Sequence, residues 1–406
     1  MGLIVMIAGA AAPAADWSQW GGANRDFTSD STGLADSWPK DGPKRLWVRP
    51  LGPGRSSVVA SDGKLFTMYR TESDEEVVVA LDAETGETAW EHKYAAPLYE
   101  KMTTQFGTGP NATPLALDNR VYTLGITGKL HCLDMATGEV IWAHDLREDF
   151  DATFLQYGFS VSPIAYKKTI IVLSGGKKGR IIAFDAKKGK VKWKQDGFDL
   201  SYSSPILIEV DGKEQLVILT ADKIIGIDPK KGKKRWSHPH KNRFSMNILT
   251  PLWSADDNML YISSASGAYG LKITRKRSTT KVEEVWSNNK IKPSHANAVR
   301  VGKYVYTSIS SGMSGPSFIV AVDLADGKIV WQERGFSLSK LISADGKLIV
   351  LDEDGKLAIL EATPEKLKIL AQVDLLEKTA WTPPTLVGTR LFVRDQKTIA
   401  ALELKN

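Results

Sequence analysis

Apolar residues in this chain fall in short runs that are broken by Gly, Asn and Asp pairs, and no run carries a helical period. Residues 113–146, TPLALDNRVYTLGITGKLHCLDMATGEVIWAHDL, show the unit. LALD, VYTLG, KLHCLD and EVIWAHD are each rich in β-branched and aromatic residues, and turns at Asp118–Asn119, Thr127–Gly128 and Ala136–Gly138 separate them. That pattern predicts four short antiparallel strands. The last turn and strand recur as a skeleton of Asp, Gly and Trp spaced four apart: Asp82/Gly86/Trp90, Asp134/Gly138/Trp142, Asp185/Gly189/Trp193, Asp228/Gly232/Trp236 and Asp323/Gly327/Trp331.

With Trp286, the tryptophans at 90, 142, 193, 236, 286 and 331 lie 43 to 52 residues apart. Four antiparallel strands in such a period make one propeller blade. The unit ending at Trp286 replaces Asp and Gly with a longer basic hairpin; the unit over 341–373 keeps the strand pattern without a tryptophan. Residues 383–404 hold only three strands, and RLWVRP (45–50), with Trp47, supplies the fourth. The expected fold is therefore all-β: an eight-bladed β-propeller of four-stranded antiparallel blades over 45–406, its ring closed by an N-terminal strand so that no sheet edge is left over at the seam. Within the skeleton, Asp accepts hydrogen bonds from turn amides. Gly86, Gly138, Gly189, Gly232 and Gly327 take the left-handed turn position, and each Trp points into the seam between blades. Residues 16–44, with Trp17, Trp20 and Trp38, have no strand period and are expected to wrap the ring or cap one face, because three indoles are costly to leave in water.

Composition adds little to the fold but places the chain. Among 406 residues, 42% are apolar and 25% charged, as in soluble globular proteins. Residues 1–15, MGLIVMIAGAAAPAA, read as a signal peptide with Ala12 and Ala14 at an A-x-A cleavage site, which implies export to the periplasm or cell envelope. Cys132 is the single cysteine, so an internal disulfide and a cysteine-based metal cluster are excluded, and its apolar strand suits a buried thiol. The formal charge of +6 is uneven: residues 160–280 carry 23 basic and 10 acidic side chains, concentrated in turns such as PKKGKKR (229–235). Solvated turns explain these runs; an anionic polymer bound on the basic blades is the functional alternative.

The spelling A-x-D-x-x-T-G-x-x-x-W resembles the tryptophan-docking repeat of pyrroloquinoline-quinone (PQQ) dehydrogenases and of outer-membrane assembly lipoproteins. Over WSQWGGANRDFTSDSTGLADSWPKDGPKRLW (17–47), GTGPNATPLALDNRVYTLGITGKLHCLDMATGEVIW (107–142) and EATPEKLKILAQVDLLEKTAWTPPTLVGTRLFVRDQ (361–396), the mature chain resembles exported PQQ-binding-like propeller proteins of planctomycetes and related bacteria. The resemblance implies an eight-bladed propeller. For the alcohol-oxidising members it implies PQQ under a ring of adjacent cysteines, with calcium on Glu, Asn and Asp. Cys132 alone cannot form that ring, and no calcium set maps onto matching motifs, so no catalytic residue is carried over.

Other chemical signals are sparse. Asp352 and Asp354 in DEDGK lack the remaining ligands of a calcium loop and read as a hairpin turn. GGKKGR (175–180) lacks P-loop spacing. His238 and His240 flank Pro239 and read as a surface turn rather than a metal site. Propellers bind ligands in the axial funnel, on loops that lead into each innermost strand. Those loops name Arg55, Gln105, Asn111, Tyr157, Tyr202, Asn247, His295, Asn297 and Trp381 as candidate binding residues for a sugar or other small molecule, a peptide or a protein partner. The competing reading has hydroxyls and amides there satisfying crowded backbone. No metal and no cofactor are expected. The leading expectation is an exported, non-catalytic propeller that binds or scaffolds a partner. The alternatives are a quinoprotein-type oxidoreductase, or another enzyme using the funnel, and polyanion binding on the basic blades.

Overall fold

The computed structural model describes residues 16–175, 178–240, 242, 246–310 and 315–405. Residues 1–15, read from the sequence as a signal peptide, and part of GGKKGR lie outside them. Among the described residues, thirty-two strands form eight separate four-stranded antiparallel sheets, with one short helix, Leu146–Phe150. Blade I runs Val59–Ser61, Lys64–Arg70, Glu75–Asp82 and Thr88–Ala95, from the axis outward. Blades II to VII repeat that order, starting at Leu115, Ile164, Ile206, Leu252, Ala298 and Ser339. Blade VIII takes Thr385–Val387, Arg390–Arg394 and Thr398–Glu403 from the C-terminus, and Lys44–Pro50 pairs on as its outermost strand, Lys44 opposite Glu403 and Pro50 opposite Thr398. Innermost strands of blades I and VIII touch, which closes the ring.

Blades sandwich one another, so their middle strands are buried on both faces. Val77–Leu81 and Ile181–Phe184 are fully inaccessible and read as unbroken apolar runs. Outermost strands alternate instead, with Val48, Val140 and Val191 turned to solvent.

The repeated skeleton works across two blades rather than within one. Asp134 Oδ1 accepts from the Ala136 and Thr137 amides and shapes the turn between the third and fourth strands of blade II. Gly138 in that turn sits at φ +75°, and its Cα lies against the indole of Trp90 from blade I: a Cβ there would stand 2.5 Å from the ring. Trp90 Nε1 donates 3.0 Å to the carbonyl of Met135, the residue after the aspartate. The relation repeats around the ring. Trp47 reaches Ala83 O and Gly86, Trp142 reaches Ala186 O and Gly189, Trp193 reaches Pro229 O and Gly232, and Trp286 reaches Leu324 O and Gly327. Each indole covers its neighbour's bare turn and satisfies one carbonyl of it. Trp331 donates to Thr363 O of blade VII, where no such glycine follows. Trp236 faces the blade V hairpin that lacks the motif and bonds Gln215 Oε1 of its own blade instead, 2.7 Å away.

Around the axis, hydroxyls tie neighbouring blades. The Ser57 amide donates to Thr113 Oγ1, Thr113 N to Ser162 Oγ, and Ser162 N to Ser204 Oγ, at 3.0 to 3.1 Å. Thr385 Oγ1 donates to Val58 O across the closing seam. Arg394, wholly buried in blade VIII, reinforces that closure by donating to Ser56 O, Thr67 Oγ1, Met68 O and Gly52 O.

The first part of the N-terminal segment, residues 17–29, caps one face at its centre, and residues 34–43 run outward along blades VII and VIII to the outermost strand. Trp17 O accepts from Ala60 N and Ser18 O from Ala116 N, on the innermost strands of blades I and II. Trp20 Nε1 reaches Thr250 Oγ1, the Phe27 carbonyl and Ser29 amide bracket Ser343 of blade VII, and Ala35 N bonds Leu404 O. Phe27 and Trp17 are buried. Arg25, 3% exposed, donates to Pro163 O at 2.9 Å and Ser162 O at 3.4 Å; burial lowers its guanidinium to about 9.

Candidate functional site

Loops that lead into the innermost strands gather at the end of the axis opposite this cap. There Trp381, ahead of blade VIII, is the centre of a mixed aromatic and charged cluster drawn from five blades. The Arg55 guanidinium lies over its ring at 4.4 Å, the His295 ring packs at 4.5 Å and Phe106 at 6.0 Å. Phe106 also meets Tyr157 at 5.4 Å, and Tyr157 meets Tyr202 at 5.8 Å, which extends the aromatic wall toward blade IV. Trp381 Nε1 donates 2.9 Å to Glu353 Oε2. Lys340 Nζ donates to the carbonyl of His295.

Burial shapes the electrostatics of this mouth. Lys340 is 8% exposed, and desolvation, reinforced by the nearby Arg55 charge and opposed by Glu353, pushes its amine down to about 7. Desolvation lowers Arg55 to about 10 and holds His295 well below its ordinary range. Among the described residues, Arg55 has no side-chain hydrogen-bond partner: its Nε is buried and unpaired, as is His295 Nε2. Lys378 is paired with Asp354 at 2.9 Å, and among the described residues Glu353 is the carboxylate whose charge acts on Lys340.

The sequence-derived candidates divide. Arg55, Tyr157, Tyr202, His295 and Trp381 come together here. Tyr202 is mostly used in packing, its hydroxyl accepting from the Tyr157 amide. Asn111 donates to Tyr157 O and Ser160 Oγ and holds the loop that carries Tyr157, while its Oδ1 is buried and unpaired. Asn247 and Asn297 serve the backbone: Asn247 Nδ2 donates to Thr220 O, and the Asn297 amide both donates to Leu341 O and accepts from Leu341 N. Gln105 is exposed. Lys340, Glu353 and Phe106 were missed. A lysine second in a buried strand, SKLISA, is the signal that could have found the first.

Two other readings resolve. Asp352 Oδ1 accepts from Asp354 N and Lys356 N, a hairpin turn as expected. His240 is not a surface turn: it is 1% exposed and packs edge-on against Tyr269, because Pro239 ends the outer strand and turns the chain inward under blade V. Cys132 is buried and free, its thiol raised to about 12 by desolvation. No helix among the described residues is long and apolar enough to cross a membrane.

The fold has clear relatives. Superposition on the quinohemoprotein alcohol dehydrogenase from Comamonas testosteroni covers 97% of this chain and 81% of that one, with a TM-score of 0.70 at 15% identity, which speaks for the fold alone. In sequence, 152 residues are 26% identical to the outer membrane protein assembly factor BamB of Kangiella koreensis, and 168 residues are 26% identical to the quinohemoprotein alcohol dehydrogenase ADH IIB of Pseudomonas putida. These stretches are 37% and 40% of this chain but only 34% and 22% of the relatives' lengths. Residues 73–333, more than half of the chain, match the profile described as outer membrane protein assembly factor BamB. An eight-bladed ring whose repeats interlock through Trp and Gly thus belongs to the family described as outer membrane protein assembly factor BamB.

Proposed function

We propose that this protein is an exported, non-catalytic propeller of the cell envelope that binds a partner at its axial mouth. The observation that carries the reading is the cluster around Trp381. Its aromatics and cations come from five blades, and it lies at the end of the axis that the N-terminal cap leaves free. Aromatic anchors beside arginine, ringed by polar groups, are the composition of binding hot spots. The assembly-factor relative supports a partner that is itself a protein.

A quinone held by calcium fits this mouth poorly. Calcium takes six to eight oxygen ligands, with carboxylates supplying the charge. Here the one carboxylate beside the cations, Glu353, already accepts from Trp381, and no three His, Cys, Asp or Glu side chains converge among the described residues. No catalytic step is derived through such a group.

The test is crosslinking in cells that produce the full chain, with a photoreactive residue at position 106 or, as control, at Ile141 on the rim. A discrete adduct at 106 that disappears with Trp381→Ala is expected. Adducts confined to 141 would move the interaction to the outer strands and overturn the assignment.

A further inference from the structure

Among the described residues, the mouth brings two basic groups together with one facing carboxylate, and it shields them unequally: Lys340 is buried and Arg55 half-buried. Arg55 and Lys340 approach it from blades I and VII; Glu353 is the carboxylate that faces Lys340, and Trp381 Nε1 occupies one of its oxygens. Lys340 has a carbonyl rather than an anion as its recorded partner, and the Arg55 guanidinium rests on an indole face with its Nε unpaired. A desolvated cation without a counter-ion is unfavourable unless the site gains one. Among the described residues, the neighbouring carboxylate Asp354 is taken up by Lys378 rather than by either of these groups. Gly107 lies beneath the Arg55 fork and puts no side chain between that loop and the guanidinium: a Cβ there would stand 3.2 Å from its terminal nitrogen.

We propose that Arg55 and Lys340 together form a binding site for a carboxylate group, with Trp381 and Phe106 as its apolar walls. A guanidinium presents paired N–H donors that match the two oxygens of a carboxylate, and the ammonium adds a point charge beside them. With Lys340 protonated, the anion balances the buried ammonium and the half-buried Arg55 guanidinium against Glu353. The inference rests on the mouth being the place where a partner binds; it adds that the partner presents an acidic side chain or a chain terminus there. A free small organic acid would offer the same group.

The charged and titratable groups that face Lys340 are Arg55, Glu353 and His295, and His295 stays neutral over the working range. Lys340 therefore sets the pH response. With its amine near 7, it is protonated below that pH and neutral above, so affinity is greatest in mild acid and falls as pH rises from 6 to 8.5. Binding at neutral pH takes up a proton, because the anion raises the amine back toward its ordinary range.

The experiment is calorimetric titration of the full mature chain with two probes, succinate and the blocked peptide acetyl-Glu-Glu-Glu-amide, at pH 6 and pH 8.5. Variants are Arg55→Gln, Lys340→Met and, as a surface-charge control, Lys230→Gln/Lys231→Gln. Circular dichroism and thermal midpoints confirm folding; Lys340→Gln serves if the methionine variant fails. The expected result is saturable binding that weakens at least tenfold in each mouth variant and less than twofold in the control. Lys340→Met should also abolish the pH dependence. Peptide binding without succinate binding assigns the group to a polypeptide, and equal binding of both assigns it to a free acid. Absence of binding by either probe at millimolar concentration, or equal affinity in the mouth variants, overturns the carboxylate site. Crosslinking at position 106 that persists in that case leaves the partner reading standing alone.

Discussion

The interlock between Trp90 and Gly138 can be tested as a unit. Replacing Gly138 by Ala has two consequences. An alanine must hold φ near +75°, which costs about 1–2 kcal/mol for an L residue. Its Cβ must also enter a space where Trp90 Cε3 lies 2.5 Å away, and relieving that contact shifts the indole from the Met135 carbonyl. Overpacking of this kind costs about 1–3 kcal/mol more. Gly138→Ala should therefore destabilise by about 2–5 kcal/mol. Trp90→Ala, removing a side chain 8% exposed and orphaning Met135 O, should cost about 3–5 kcal/mol. In the double variant the ring is gone and only the backbone component of Gly138→Ala remains, so the two changes should fall short of additivity by about 1–3 kcal/mol. Urea unfolding followed by circular dichroism measures all four species. Additivity within about 0.5 kcal/mol would refute the claim that the glycine exists to receive the neighbouring blade's indole. The same pair of substitutions at Trp236 and Gly226 tests a different contact, because that indole sits over a glycine of its own blade.

Acid should loosen the ring through its buried imidazoles. Burial lowers His131 to about 3 and His240 to about 4, below the ordinary unfolded value near 6.5, so each holds fewer protons folded than unfolded between those limits. Stability from this source is complete above pH 6.5 and lost as pH falls; from pH 7 to pH 5 it amounts to about 2 kcal/mol per imidazole, read as a drop in urea midpoint that His131→Phe reduces. Glu76 opposes the trend, since burial raises its carboxyl and favours the protonated form in acid. Phe27→Ala should destabilise by about 3–5 kcal/mol by emptying the axial cap, a loss seen in thermal unfolding. Cys132 should resist an aromatic disulfide reagent at pH 8 in the native protein and react fully in urea; rapid native reaction would contradict its burial.

Period and turn chemistry alone specify eight blades, their strand count and the borrowing of RLWVRP, because each blade's strands pair locally and each turn needs Gly, Asn or Asp at fixed places. The same spelling told less about partners in space. Asp134, Gly138 and Trp142 are neighbours in sequence, yet the residue that Gly138 serves is Trp90, one blade back, since the outermost strand of each blade leans over the next blade's turn. Hydroxyls and amides in the inward loops were legible as a group, but their division was not. Only the closed ring shows that Asn247 and Asn297 are used up on backbone. What surrounds Lys340 was hidden for the same reason. Its neighbours Arg55, His295, Glu353 and Trp381 are scattered over more than three hundred residues; the lysine inside the apolar strand SKLISA marks the position, but not the company that ring closure gives it. The chain determines the blades by short-range pairing; the axis, where all of them meet, exists only after the ends have joined.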